Sequence, residues 1–253
     1  MRLIHPAMAR SFRSNALAVG LAMLLVGVVS LLLMALLPPA RVAPIALLGL
    51  SASLALGVGC AMVLRVLVHA RQRREEMGHD VGRLLAPAFD DSYVLVLSPR
   101  LPGVPNDLAA LLVGPPGVRA LIARRWNGRY RVRGRGWEFD THSRAGWIPT
   151  ITNPSFDADA VSEAVSRWAR SVIEDPTVTI TPAIAFPKPH SRVVLEEPAS
   201  EIVTTDNAPW FAQRIGRVQR LDPRRASRFV EAVLSATESE ATQATSATSP
   251  HTA

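Results

Sequence analysis

Six arginines, Arg124, Arg125, Arg129, Arg131, Arg133 and Arg135, fall within twelve residues. The last four are spaced by two. On a regular strand they share one face and leave Tyr130 and Val132 on the other. Trp126 and Trp137 flank the run. A row of guanidinium groups beside aromatic rings can hold phosphates and stack bases. The same row can meet anionic lipid headgroups beneath a membrane, or be a solvated strand in an arginine-rich chain. Of the 28 Lys and Arg residues only Lys188 is lysine. Every other fixed cation is therefore a guanidinium, which stays protonated and cannot act as a base.

Other reactive side chains are scattered. His5, His69, His79, His142, His190 and His251 contain no pair at metal-ligand spacing, and Cys60 is the single cysteine. An intrachain disulfide and a Cys-rich zinc site are excluded. No nucleophile elbow, phosphate loop or dinucleotide fingerprint is present. Gly134-Arg-Gly136 supplies only two glycines of such a fingerprint. Gly114-Pro-Pro-Gly117 lacks the lysine and hydroxyl residue that a phosphate loop requires.

These residues sit in a chain of two characters. The 253 residues are 48% hydrophobic and only 19% charged, with a formal net charge of +7. The apolar content is concentrated near the start. Residues 16–37 and 43–64 are two uncharged stretches of 22 residues each, and about 20 apolar residues suffice to cross a bilayer as a helix. Residues 38–42 leave room only for a tight external turn. The first stretch exceeds the apolar core of a signal peptide, about 7–15 residues, and the second follows at once, so a helical hairpin anchor is expected. Arg2, Arg10 and Arg13 precede it and Arg65, Arg71, Arg73 and Arg74 follow, against Arg41 in the turn. This bias places both termini in the cytoplasm, at the inner membrane. Gly49, Ser53, Gly57 and Ala61 put a small residue on one face of the second helix at every fourth position. That face can pack on the first helix or form a homo-oligomer contact. Neither stretch carries an ionisable side chain for a transport path.

Residues 70–235 suffice for one globular domain, preceded by a basic segment, 1–15, and followed by a tail, 236–253, expected to be disordered. A helix runs from the membrane to Leu85. Strands are expected over Tyr93–Ser98, Leu108–Val113 and Val118–Arg124. Asn127-Gly128 is a hairpin signal that would return the chain through Arg129–Arg133. Irregular sequence follows to Asn153-Pro154. Asp157 is expected to cap a helix from Ala158 to about Glu174, with Val161, Val165, Trp168 and Val172 in the core. Val178–Phe186, Val193–Leu195 and Glu201–Thr204 read as strands, Pro209–Gly216 as a short helix, and Asp222-Pro223 opens a helix to about Ser235. The order fits an α/β fold, with α+β as the alternative, built on a mixed sheet flanked by helices.

The middle of this domain resembles the NERD family, the nuclease-related domain. Three features carry the resemblance. They are the apolar strand Leu111-Leu-Val-Gly-Pro115 running on through Pro116-Gly117-Val118, the segment Leu121-Ile-Ala-Arg-Arg-Trp-Asn-Gly128, and Asn153-Pro154 ahead of a helix. The strand from Tyr93 with Leu101-Pro102-Gly103 also fits, and the likeness spans roughly residues 75 to 200. It implies a PD-(D/E)xK-nuclease-like domain, whose chemistry needs a carboxylate pair on a divalent metal and a nearby lysine. Carried over position by position, the family's aspartate falls on Ala109, the acid of acid-x-lysine on Ile122 and its lysine on Arg124. The glutamine after Asn-Pro falls near Asp157. Glu75, Glu76 or Asp80 would supply an acid from the first helix. Alanine and isoleucine cannot bind a cation.

The sequence therefore reads as a membrane-anchored, catalytically inactive NERD-like protein that binds or scaffolds at the cytoplasmic face. Its phosphate-binding candidates are Arg124, Arg125, Arg129, Arg131, Arg133 and Arg135, and its candidate partners are nucleic acid or anionic lipid. No cofactor is expected. The alternative is a metal-dependent nuclease with a displaced site drawn from Asp107, Glu138 or Asp140, which would need magnesium or manganese.

Overall fold

The computed structural model describes residues 1–6, 59, 62–63, 65–66, 68–70, 72–143, 146–173, 178–217 and 221–246. Two compact units make up the chain, Met1–Ala7 with Arg73–Glu240 and Met8–Gln72 with Ala241–Ala253. Among the described residues no helix is long and apolar enough to cross a membrane. The expected span 16–37, nearly all of 43–64, the small-residue positions Gly49, Ser53, Gly57 and Ala61, and residues 247–253 lie outside the described residues.

The first unit is α/β. Its elements in order are β1 (Arg2–Ile4), α1 (72–85), a 3-10 turn (Ala86–Ala88), β2 (Val94–Leu97), β3 (Leu108–Gly114), β4 (Gly117–Ala123), β5 (Gly128–Gly134), β6 (Gly136–Asp140), β7 (Trp147–Pro149), α2 (Pro154–Val172), β8 (Ile180–Phe186), β9 (Ser191–Pro198), β10 (Glu201–Thr204), α3 (Ala208–Gly216) and α4 (Pro223–Ser246). A six-stranded sheet has the order β1-β2-β3-β4-β8-β10. Strands β2, β3 and β4 form an antiparallel meander, while β4, β8 and β10 are parallel, as are β1 and β2.

All seven positions of β3 and all seven of β4 are buried. Their near-continuous apolar sequence suits strands covered on both faces. Side chains alternate between two cores. Leu111, Val118, Ala120, Ile122 and Ile184 join Val161, Val165 and Trp168 of α2 and Phe229 and Val233 of α4. Leu95, Leu112, Leu121, Ala123 and Ala185 join Val81 and Leu85 of α1 and Phe211 and Ile215 of α3. Gly114 lies so close to the Tyr93 ring that a Cβ there would overlap it.

A second, four-stranded sheet has the order β7-β6-β5-β9. Val132 and Trp137 turn inward from it. Trp137 stacks near Phe186 with centroids 5.5 Å apart, and its buried indole N–H donates to Ser155 Oγ at 2.9 Å.

Several expectations need correction. Asn127-Gly128 does not close a hairpin between β4 and β5. Strand β4 is already flanked by β3 and β8, so no edge is left for β5. The positive φ of Gly128, 108°, instead carries the chain across to the second sheet. The hairpin there is β5–β6, turned at Gly134-Arg-Gly136 with Gly134 at φ 56°. The stretch expected to be irregular thus holds β6 and β7. Helix α2 is capped by Asn153, whose side chain accepts from Ser155 N, with Pro154 opening the helix. Asp157 lies in the first turn instead, and Val172 is exposed. Helix α4 does not stop near Ser235. It runs to Ser246, and Thr237, expected to begin the disordered tail, is buried and donates to the Arg100 carbonyl at 3.1 Å. Residues 2–4, expected only as a basic segment, form a strand paired with β2.

Candidate functional site

Strands β4 and β8 are parallel, and their carboxyl ends deliver Arg124, Arg125 and Lys188 to one edge of the sheet. Such ends are where α/β sheets commonly place ligands. Ala109 and Ile122 do not join them. Ala109 is the extra residue of a bulge between Leu108 and Ala110 and is 1% exposed among the residues that pack against α1. Ile122 is 0% exposed in the core beneath α2. The two positions therefore face opposite sides of the sheet.

Arg124 leaves β4 toward α2. Its Nη2 donates to Asp157 Oδ2 at 2.6 Å and to Asp107 Oδ2 at 3.2 Å. The guanidinium is 17% exposed and the acids 40% and 54%. One organic cation thus occupies the space between two carboxylates. Both carboxylates share the one nitrogen Nη2, while Nη1 donates to the Ala123 carbonyl at 3.3 Å.

Arg125 turns toward α1. Its Nε donates to Asp80 Oδ2 at 2.9 Å and its Nη1 to Glu76 Oε2 at 2.8 Å. Asp80 is only 5% exposed and also meets Arg83 and, at 3.4 Å, Lys188 Nζ. Burial raises the Asp80 carboxyl pKa, but the hydrogen bond and charge of Arg125, with Lys188 and Arg83, outweigh it and hold the group below its ordinary value. This cluster was not anticipated. The sequence marks Glu76, Asp80, Arg125 and the lone lysine between Pro187 and Pro189 separately, but nothing in it pairs them.

The arginine row of β5 is regular, as its spacing predicted. Arg129, Arg131 and Arg133 lie on the outer face of the second sheet, and Val132 is buried on the inner one. Each has an acidic neighbour. Arg129 meets Asp140 at 3.6 Å, Arg131 Nε donates to Glu138 at 2.7 Å, and Arg133 Nε donates to Glu196 at 2.9 Å. Arg135, in the turn, meets Asp159 of α2 at 3.2 Å. The register explains two of these pairs, because Arg131 lies across from Glu138 and Arg133 across from Glu196. The Glu196 carboxylate raises the pKa of the Arg133 guanidinium through its hydrogen bond and charge. Arg129 and Arg131 lie over the Trp147 ring, 5.4 and 4.7 Å from its centroid. The flanking tryptophans are not part of this face. Trp126 and Trp137 pack edge-on with centroids 5.8 Å apart, against the core.

The three candidate catalytic acids are accordingly dispersed over two clusters. Asp107 belongs to the Arg124 clamp, and Glu138 and Asp140 belong to the arginine row. Among the described residues no group of three or more His, Cys, Asp or Glu side chains could hold a metal ion.

Fold and site define an α/β protein with two mixed sheets, whose polar edges are closed by arginine–carboxylate pairs. Comparison with protein-family models, with curated proteins and with solved structures gives no match for this chain.

Proposed function

We propose that this chain is a membrane-anchored, NERD-like module that binds or scaffolds at the cytoplasmic face of the inner membrane and does not cleave nucleic acid. The observation that carries this reading is the Arg124 guanidinium between Asp107 and Asp157, where the resemblance implies a lysine working beside a metal. The mixed sheet flanked by helices suits the nuclease-like framework that the resemblance implies. Ala109 and Ile122, buried on opposite faces, supply no ligand. The topology supports an even number of membrane crossings. Residues 2–4 pair with residues 94–96, so both lie on the same side of any bilayer crossed between them.

The contact surface is the outer face of the second sheet, and its partner is nucleic acid. Arg129 and Arg133 are well exposed, and exposed ion pairs are worth only about 0–1 kcal/mol. Their carboxylates can therefore give way to phosphate oxygens at small cost. Trp147 lies beneath two of the guanidinium groups. The test is fluorescence anisotropy with end-labelled DNA and RNA at two salt concentrations, on the full chain in phosphatidylcholine nanodiscs. Binding should weaken steeply with salt and fall when Arg129, Arg131 and Arg133 become alanine. Equal binding by the triple variant removes nucleic acid from the proposal. If that variant instead loses association with phosphatidylglycerol vesicles, the row faces lipid.

A further inference from the structure

Arg74 of α1 differs from every arginine at the site. Its Nη1 donates to the Asn106 side chain at 2.7 Å and its Nη2 to the Pro99 carbonyl. Both acceptors are neutral. Its Nε is buried and has no hydrogen-bond partner among the described residues. Buried polar groups are normally satisfied, and an exception in a native structure needs an explanation. A second oddity adjoins it. Ser98, 3% exposed, holds φ at 48° at the end of β2, a left-handed conformation that costs a serine about 1 kcal/mol or more and clusters at binding sites. Its hydroxyl donates to the Arg74 carbonyl at 3.1 Å. Asp107, whose charge acts on Arg74, is already engaged by Arg124. Burial, with the charge of Arg100, lowers the Arg74 pKa to about 10, and Asp107 offsets this only in part.

A half-buried guanidinium whose Nε is enclosed, and whose acceptors among the described residues are neutral, lacks a paired anion. We propose that Arg74, where α1 meets the β2–β3 loop, is the base of a binding site for a phosphate-type oxyanion. The planar fork can present paired N–H groups to one such ligand. The charge of Arg100 nearby favours a dianion over a carboxylate. Asn106, now an acceptor for Arg74, holds the fork until the ligand arrives. This site is separate from the arginine row of β5, so either can fail without the other.

The test is thermal unfolding of the full chain in phosphatidylcholine nanodiscs, with inorganic phosphate replacing chloride at constant ionic strength. The wild type should gain a saturable rise in Tm, as for any ligand that binds only the folded state. Arg74→Gln should lose the saturable part. Arg74→Lys keeps the charge without the fork and covers the case in which the glutamine variant does not fold. It should need on the order of tenfold more phosphate for the same rise. A second arm uses discs containing phosphatidic acid. A rise there without free phosphate assigns the oxyanion to a lipid headgroup, and a rise only with added phosphate assigns it to a soluble ligand. A Tm unchanged in both arms overturns the proposal. So does a rise that never saturates and is equal in wild type and Arg74→Lys, since phosphate also stabilises proteins non-specifically.

Discussion

Arg124 and Arg125 are neighbours in sequence, carry the same charge and each meet two carboxylates, yet replacing them with alanine should have unequal consequences. Arg124→Ala releases Asp107 and Asp157, which are 54% and 40% exposed. Water takes up both charges, so each lost pair costs about 0.2–1 kcal/mol. Asp157 stays in the first turn of α2, where the helix dipole still favours it. With the packing of the aliphatic stem, the total is about 1–2 kcal/mol. In a unit of this size that lowers Tm by about 2–8 °C. Arg125→Ala instead removes the main partner of a carboxylate that is 5% exposed. Breaking a buried pair costs about 3–5 kcal/mol, and Arg83 and Lys188 hold the loss near the lower end, about 3 kcal/mol. The assay is thermal and urea unfolding of both variants in the same discs, followed by circular dichroism. The Arg124 variant gives a second readout. Its two freed carboxylates had approached a single nitrogen, so manganese should raise the Tm of Arg124→Ala and leave the wild type unchanged. Manganese stabilising the wild type equally, or Arg124→Ala proving the more damaging change, would refute the reasoning.

Three further outcomes follow from the same geometry. The folded-state pKa of Asp80 lies below its ordinary value of 3.8, so its contribution is present above the unfolded value and lost as pH falls through the folded one. Asp80→Asn should therefore flatten the fall in stability below about pH 4, and an unchanged pH profile would remove Asp80 from the account. Restoring acids as Ala109→Asp with Ile122→Glu should yield no manganese site and should destabilise the domain by several kcal/mol, because each charge enters a different core; calorimetry showing tight manganese binding would contradict the opposite-face assignment. Trp137→Phe leaves the Ser155 hydroxyl without its indole partner and should cost about 1–3 kcal/mol by urea unfolding, whereas a stability equal to wild type would mean that hydrogen bond contributes nothing.

Strands β2, β3 and β4 could be read from the sequence because their apolar runs are bounded by Asp, Pro and Gly, and burial on both faces leaves no competing pattern. The regular row of β5 was legible for the same reason, as period-two spacing survives in any sheet. Its partners were not. Local sequence does not say which strand will occupy an edge, so Asn127-Gly128 reads as a hairpin although the edge of β4 belongs to β8. Asn153 and Asp157 are equally good capping residues, so residue type alone does not single out Asn153 as the cap of α2. The pairing of Arg129, Arg131 and Arg133 with Asp140, Glu138 and Glu196 depends on cross-strand register. The Asp80 cluster joins residues 80, 125 and 188, and only the tertiary fold brings them together. Ala109 and Ile122 were recognised as unable to bind metal, but their opposite orientation depends on a bulge at Ala109 that no residue type announces.

The proposed activity is binding without cutting. Its most direct test is a time course on denaturing gels, with the full chain in nanodiscs, labelled single-stranded DNA and RNA, and manganese. The account predicts substrate of unchanged length at all times, at protein concentrations where anisotropy reports saturation. Shortened products that accumulate with time, and that disappear in Asp107→Ala, would contradict it and establish a working metal site beside the Arg124 clamp.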